Sequence, residues 1–283
     1  MNEHFRAIQR DSASPWPGPR GEKVTYASDS LEVTVYPDDG CRITSIRVHG
    51  REILRQWSPE RRGFQYGVFP MVPWVGRMGG GLLYWRGRVH QLPVNRPPHA
   101  LHGCACFGPW TRSGVDEFSL ELGRWWPWDA RAVQRIGVND SSLTLSLEII
   151  SNSGEFPAQA GWHPWFLRRL EGDSRDVLLG THPQWQEELG GNELPTGRRI
   201  SPQTGPWDNC FGYAHQMDAE LRWESVSARI GSDRRWSTLF TVPEDAVCVE
   251  PLSGPPNGIN TAPESVAPDR PLTITTTWRL AER

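Results

Sequence analysis

Lysine is almost absent from this 283-residue chain: Lys23 is the single one, although lysine and arginine together number 30. Schiff-base chemistry needs a desolvated lysine in a pocket, so it is not expected here. A strong excess of either charge is lacking too, since 33 acidic residues leave a net charge of −3. Such a balance does not indicate a nucleic acid or a membrane surface as partner.

Long apolar runs are missing as well. No segment approaches the roughly 20 apolar residues of a membrane-spanning helix, and the N-terminal residues lack the apolar core of a signal peptide. The five cysteines are an odd number, which does not favour a complete disulfide framework. We therefore expect a cytoplasmic protein with reduced thiols.

Helical periodicity is not found over any 12-residue stretch, and 25 prolines and 28 glycines leave little room for long helices. Alternation of apolar and polar residues is present instead, which is typical of half-buried strands. Four segments show it clearly: 31–37, 42–50, 143–150 and 272–280. Turn signals occur at PDDG (37–40) and at VNDSS (138–142), and the second predicts a hairpin.

These patterns predict an all-β fold. Because all-β sandwiches and barrels often reach this length as one unit, we expect residues 1–283 to form a single domain. Residues 1–22 are predicted as an irregular N-terminal lead-in, and residues 171–207 as a loop-rich connection.

The segment PPHALHGCACFGPW brings together His99, His102, Cys104 and Cys106. In an extended strand the last three would share one face. A C-x-C spacing suits a structural zinc site poorly, and no second ligand pair is evident, so no metal is expected. We expect the cysteines to fill the core and His99 to lie in a surface loop. His102 is either a ligand-facing residue or a structural one.

Two further segments carry groups suited to proton transfer. In GWHPWF, His163 precedes a proline and is flanked by tryptophans; it is either a general acid or a buried histidine bonded to the backbone. In VCVEPL, alternation places Cys248 and Glu250 on one strand face. A carboxylate at the end of an apolar strand is either a charge on the rim or a working base.

The segment PWVGRMGGG contains Arg77 next to three glycines. The glycines do not form the G-x-x-x-x-G-K-[ST] motif, and no helix follows to offer its N-terminus to a phosphate. Nucleotide binding is therefore not expected. A turn explains the glycines, and Arg77 could bond a ligand hydroxyl.

Taken in order, these segments resemble the aldose 1-epimerase (mutarotase) family. The resemblance rests on five motifs: PWVGRM (73–78), ALHG (100–103) followed by GPW, GWHPWF (161–166), WDNCF (207–211) and VEPLSGPPNGIN (249–260). Each motif is weak alone, but five in the expected order and spacing form a specific signal over about two thirds of the chain.

The resemblance implies a large antiparallel β-sandwich (supersandwich) of the galactose mutarotase type, with a groove for a free aldose. It implies an isomerase that interconverts α and β anomers of a small-molecule sugar without metal or organic cofactor. By position, His163 would protonate the ring oxygen and Glu250 would take the proton of the anomeric hydroxyl. Arg77, His102 and Asp208 would position the sugar. We further expect Glu250 to raise the pKa of His163.

Some residues depart from the pattern of the family. Trp165 stands where tyrosine is usual, Cys104 where glycine is frequent, and residues 256–258 are Pro-Asn-Gly where Pro-Asp-Ala is common. These departures put the choice of substrate in doubt more than the type of reaction. Two alternatives stay open. One is a mutarotase for a phosphorylated, sulfonated or otherwise unusual sugar, with cations among Arg86, Arg88, Arg168 and Arg169. The other is a non-catalytic carbohydrate-binding protein.

Overall fold

The computed structural model describes residues 16–124 and 126–283, and strands dominate these residues. In chain order the strands are β1 (Val24–Ala27), β2 (Leu31–Tyr36), β3 (Arg42–Val48), β4 (Arg51–Glu52), β5 (Val68–Met71), β6 (Arg77–Met78), β7 (Leu82–Trp85), β8 (Arg88–Gln91), β9 (Ala100–Leu101), β10 (Thr111–Arg112), β11 (Glu117–Glu121), β12 (Ala130–Asn139), β13 (Ser142–Ser151), β14 (Phe156–Ala158), β15 (Gly161–Pro164), β16 (Phe166–Leu167), β17 (Leu178–Thr181), β18 (Trp185–Leu189), β19 (Pro195–Ile200), β20 (Asp208–Gly212), β21 (Asp218–Arg222), β22 (Val226–Ser232), β23 (Trp236–Phe240), β24 (Ala246–Leu252), β25 (Glu264–Val266) and β26 (Leu272–Glu282).

Helical structure is short. The helix α1 covers Gly258–Thr261, and 3₁₀ turns cover Pro37–Asp39, Gly79–Gly81, Ala105–Phe107 and Leu122–Arg124. Within residues 16–124 and 126–283, no helix has the length and apolar character needed to span a membrane.

Two large antiparallel sheets contain most of the strands. The first has twelve strands in the order β1-β2-β3-β5-β15-β24-β23-β20-β18-β19, with β4 paired to β3 and β16 paired to β24. The second has eight strands in the order β10-β11-β12-β13-β26-β22-β21-β17. The expected all-β class is confirmed.

The four segments predicted from alternation are strands β2, β3, β13 and β26. In β13, every second residue is buried, from Leu143 to Ile149. One face of this strand therefore enters the core while the other meets solvent, which is the arrangement that alternation predicts. The VNDSS hairpin is confirmed as well, because Asn139 at the end of β12 pairs with Ser142 at the start of β13.

The core lies between the two sheets. Trp162 of β15 donates from Nε1 to Oε1 of Gln134 in β12 at 2.8 Å. Phe166 of β16 and Trp278 of β26 contact each other with ring centroids 5.2 Å apart. Since side chains alternate along a strand, the neighbours of Trp162 point to the opposite face of the twelve-stranded sheet, away from the core.

The region 171–207 differs from its prediction, because it contains three strands, β17, β18 and β19. Most of β19 is exposed on the edge of the twelve-stranded sheet, so its sequence, PTGRRI, carries no apolar alternation. Backbone pairing alone makes it a strand.

The predicted lead-in is described only in part. Residues 1–15 lie outside the described residues, and residues 16–22 form no strand. Trp16 is nevertheless buried, and its Nε1 donates to Oδ1 of Asp39 at 2.8 Å.

Candidate active site

A cleft of about 300 Å³ opens on the face of the twelve-stranded sheet that is turned away from the core. All five residues that the sequence suggested as site residues line it: Arg77, His102, His163, Asp208 and Glu250. Segments far apart in the chain thus converge on one cavity. Strands β15, β20 and β24 provide its floor, and the β6–β9 pair provides one wall.

Strand register brings His163 and Glu250 together. Gly161 of β15 pairs with Leu252 of the antiparallel strand β24. His163, two positions after Gly161, therefore lies beside Glu250, two positions before Leu252. The resulting distance between His163 Nε2 and Glu250 Oε1 is 3.2 Å. Both side chains are about 95 % buried. An imidazole nitrogen and a carboxyl oxygen therefore lie 3.2 Å apart at the bottom of the cleft.

Aromatic rings hold the imidazole of His163 on both sides. Phe69, its partner on β5, stacks at a centroid distance of 5.0 Å, and Trp165 stacks at 5.1 Å. Trp165 is itself fixed, since its Nε1 donates to the carbonyl oxygen of Phe64 at 2.7 Å and the Arg55 guanidinium lies 3.7 Å from its ring centre. The imidazole can therefore move little except within its own plane.

Burial is the largest cause of the shifted pKa of His163. Burial, together with the positive charges of Arg55 and Arg42, lowers the pKa of His163 to about 3. The expectation that Glu250 raises this pKa is wrong for the free protein. Desolvation disfavours the imidazolium more strongly than the neighbouring carboxyl group favours it, because that group is buried and resists ionisation itself.

Glu250 is shifted in the opposite direction. Burial raises the pKa of Glu250 well above its usual range, the charge of Asp208 raises it further, and Arg77 partly offsets both. Both members of the pair thus favour their neutral forms. Because they interact at hydrogen-bond distance, they titrate as a unit.

Arg77 lies between two carboxylates. Its Nη2 donates to Oδ2 of Asp208 at 3.2 Å, and its Nε is 3.2 Å from Oε2 of Glu193. Asp208 opens strand β20, whereas Glu193 lies in the loop between β18 and β19. Glu193 was not anticipated from the sequence, because nothing in its surroundings, GGNELP, differs from an ordinary turn.

His102 follows β9 directly, and the pairing of Leu101 with Arg77 brings it into the cleft. Its φ of 59° is left-handed and turns the chain sharply, so His102, Cys104 and Cys106 do not share one extended strand. Burial lowers the pKa of His102 well below its usual value, and His163 and Arg77 lower it further. Its Nδ1 is buried without a hydrogen-bond partner among the described residues. A neutral His102 has one donor and one acceptor nitrogen, and the residue lines the cleft.

The remaining groups of the PPHALHGCACFGPW segment have structural positions. Cys104 and Cys106 are buried as expected, and burial raises the pKa of the Cys106 thiol to about 12. His99 is not a surface residue as expected: it is 5 % exposed, and its Nε2 lies 2.7 Å from the carbonyl oxygen of Asn192. In the described part of the chain, no three His, Cys, Asp or Glu side chains converge as metal ligands.

Several residues that line the cleft were not predicted: Arg62, Phe64, Gln65, Asn95, Arg96, Leu189, Glu193, Thr238 and Phe240. They come from loops and from strand positions that carry no motif. The strand pairing nevertheless explains the position of Thr238, because Thr238 of β23 pairs with Glu250 of β24.

The four arginines considered for a charged sugar are not among the residues that line the cleft: Arg86, Arg88, Arg168 and Arg169. Three of them have structural partners, and Arg86 forms an ion pair with Glu155. Arg168 donates to the carbonyl oxygen of Thr241 at 2.7 Å, and Arg169 forms an ion pair with Asp176.

Solved structures of known proteins share this architecture. A galactose mutarotase-like protein from Clostridium acetobutylicum matches at a TM-score of 0.81, with 14 % identity, over 92 % of this chain and 95 % of its own. Galactose 1-epimerase from Lactobacillus acidophilus NCFM matches at a TM-score of 0.76, with 16 % identity, over 92 % and 94 %. These likenesses confirm the predicted fold of the galactose mutarotase type.

A similarity in sequence is found with YphB of Escherichia coli (strain K12), a protein described as uncharacterized. The two are 33 % identical over 148 residues. The match covers 50 % of this chain and 51 % of that relative, so this chain spans about half the length of the relative.

The family model described as aldose 1-epimerase matches residues 22–222. The matched range contains Arg77, His102, His163 and Asp208, and it ends before Glu250. Since it covers well over half of the 283 residues and agrees with the five sequence motifs, the chain belongs to the aldose 1-epimerase family.

Proposed function

We propose that this protein is a mutarotase that interconverts the α and β anomers of a free aldohexose, with residues 1–283 acting as one domain. The observation that carries the proposal is the 3.2 Å contact between His163 Nε2 and Glu250 Oε1 at the bottom of the cleft. Arg77, His102 and Asp208 line the same cleft and would hold the sugar.

The reaction needs one base and one acid at a fixed separation. Glu250 takes the proton of the hydroxyl on C1 while His163 gives a proton to the ring oxygen, and the bond between C1 and the ring oxygen breaks. The open aldehyde rotates about the C1–C2 bond. Closure on the other face returns each proton to its donor and yields the opposite anomer. Each acid or base contributes on the order of 10²–10⁴-fold to such a rate.

The neutral pair already holds the necessary proton. A carboxylic acid beside a neutral imidazole contains as many protons as a carboxylate beside an imidazolium. Transfer across the 3.2 Å contact therefore converts the resting pair into the reactive one without exchange with solvent. A bound sugar favours this transfer, because its hydroxyls replace the water that burial removes from both groups.

Magnetisation exchange between the two anomeric protons of free galactose and glucose tests the proposal. We expect exchange well above the uncatalysed rate with wild type, and a loss of at least 10²-fold in Glu250→Gln. Glu220→Gln serves as the control, because it makes the same change of carboxylate to amide on β21 of the other sheet, outside the cleft-lining residues. Sugar binding without accelerated exchange would contradict the proposal and identify a carbohydrate-binding protein instead.

A charged sugar is a second candidate substrate, and one observation favours it. Arg62 and Arg96 are exposed, line the cleft, and have guanidinium groups without an acidic partner in the described residues. Two free guanidinium groups suit a phosphate or sulfonate group on the sugar. Faster exchange of galactose 6-phosphate than of galactose, lost in Arg62→Gln with Arg96→Gln, would establish it. Equal rates for the two sugars would exclude it.

A further inference from the structure

The loop between β18 and β19, residues 190–194, forms a closed tip beside the cleft. The amide of Glu193 donates to the carbonyl oxygen of Gly190 at 3.0 Å. The amide of Gly190 donates in turn to the carbonyl oxygen of Leu194 at 2.9 Å. Glu193 has a φ of 60°, a left-handed conformation that glycine adopts more readily than glutamate. Because such strained backbone positions cluster at active sites and ligand contacts, this conformation points to a functional role for the Glu193 side chain.

His99 fixes this tip to the wall of the cleft. Its Nδ1 accepts from the amide of Gly80 at 3.3 Å, so its Nε2 carries the proton and donates to the carbonyl oxygen of Asn192 at 2.7 Å. Both ring nitrogens of a buried histidine are thus used to hold the residue next to Glu193.

Glu193 and Arg77 contact each other but leave hydrogen-bonding capacity unused. Oε2 of Glu193 is 3.2 Å from Nε of Arg77, yet this buried Nε–H has no aligned acceptor among the described residues. The Glu193 side chain is 58 % exposed and lines the cleft. A buried donor without an acceptor is costly, whereas an exposed carboxylate can shift at little cost.

A hydroxyl group satisfies both partners at once. It accepts from the Nε–H of Arg77 and donates to the carboxylate of Glu193, and both bonds involve a charged group. An anionic substituent does not fit this end of the cleft, because the carboxylates of Asp208 and Glu193 flank the guanidinium.

We propose that Glu193 is a specificity-determining residue that binds, together with Arg77, one hydroxyl of the uncharged part of the sugar. His99 is then a positioning residue, because it holds the tip that carries Glu193. The proposal rests on the proposed function and adds a sugar contact to it. The proposal assigns Glu193 a contact with the sugar and no part in proton transfer.

The test compares wild type, Glu193→Gln and Glu188→Gln in the full chain. Glu188 lies on the same hairpin, outside the set of cleft-lining residues, and accepts from Thr196 Oγ1 at 2.8 Å. For galactose we expect Glu193→Gln to raise KM on the order of 10-fold and to leave kcat within about twofold. Glu188→Gln should leave both unchanged. His99→Gln should also raise KM more than it lowers kcat.

The 2-, 3-, 4- and 6-deoxy derivatives of galactose identify the hydroxyl. For the derivative that lacks the bonded hydroxyl, wild type and Glu193→Gln should have the same KM, because the contact is already gone. A merely structural role would lower activity equally for all derivatives. An unchanged KM for galactose in Glu193→Gln, or an equal effect on every derivative, would overturn the proposal.

Sugar titrations followed by protein NMR separate this inference from the proposed function. If wild type binds galactose without turning it over, the proposed function fails, and weaker binding in Glu193→Gln still supports the contact. If wild type neither binds nor turns over any of these sugars, both are wrong.

Discussion

At the scale of single residues, the depth of burial decides the chemistry of the cleft. His163 and Glu250 were identified from the sequence by their motifs, but their protonation was not. The resemblance implied a histidine paired with a carboxylate, an arrangement that ordinarily raises the pKa of the histidine. The structure adds two stacked rings and a closed floor, and these lower the pKa of His163 to about 3 instead.

This lowered pKa makes the free energy of unfolding depend on pH. Between about pH 6.5 and pH 3, unfolded His163 binds a proton that the folded protein does not bind, so stability falls as the pH falls through this window. The slope from this one group reaches at most about 1.4 kcal/mol per pH unit. Glu250, with its raised pKa, acts oppositely above about pH 4.5: its contribution is present at low pH and is lost as the pH rises.

Denaturant unfolding of wild type and His163→Gln at pH 4, 5, 6 and 7 tests this window, and the same substitution made in Glu250→Gln removes the contribution of the coupled carboxyl group. We expect the stability of wild type relative to the variant to decrease steadily from pH 7 to pH 4. A difference that does not change with pH would show that folding leaves the pKa of His163 unchanged and would contradict the lowered value.

At the scale of elements, alternation identified β13 because one face of this strand is buried and the other is not. Strand β19 is exposed along most of its length, so it has no apolar alternation and was missed. Loop contacts were also beyond the sequence. His99 was expected at the surface, and it is buried by a hairpin tip 93 residues later in the chain.

The turn between β2 and β3 offers a sharp test at this scale. Gly40 has a φ of 71°, and a Cβ there would come 2.2 Å from the carbonyl oxygen of Cys106. Gly50 has a similar φ of 78° with open space around it. Gly50→Ala should therefore cost about 1 kcal/mol for the backbone conformation alone. Gly40→Ala should lower the free energy of unfolding clearly more, because the Ala105–Phe107 turn must move as well. Equal losses of stability for the two variants in urea unfolding would refute the close approach of Gly40 to this turn.

At the scale of the whole molecule, one polar residue connects the two sheets. Gln134 of β12 is 1 % exposed, accepts from Trp162 Nε1, and donates to the carbonyl oxygen of Cys41 at 2.9 Å. The all-β class could be predicted from turns and alternation, but this connection could not, since it depends on how the two sheets face each other. Trp162 is adjacent to His163, so the same contact helps to set the strand that carries the proposed acid.

Replacing this residue by leucine tests how far the two sheets depend on each other. Gln134→Leu leaves a buried indole N–H and a buried carbonyl group unsatisfied, and each costs roughly 1–3 kcal/mol. We expect a lower midpoint in urea, with a single transition that is the same by tryptophan fluorescence and by far-ultraviolet circular dichroism, because the core is shared. Gln65→Leu, at an intermediate position on the rim of the cleft, is the control and should shift the midpoint far less. Two separated transitions in Gln134→Leu would mean that the sheets unfold independently, and an unchanged midpoint would mean that the connection contributes nothing.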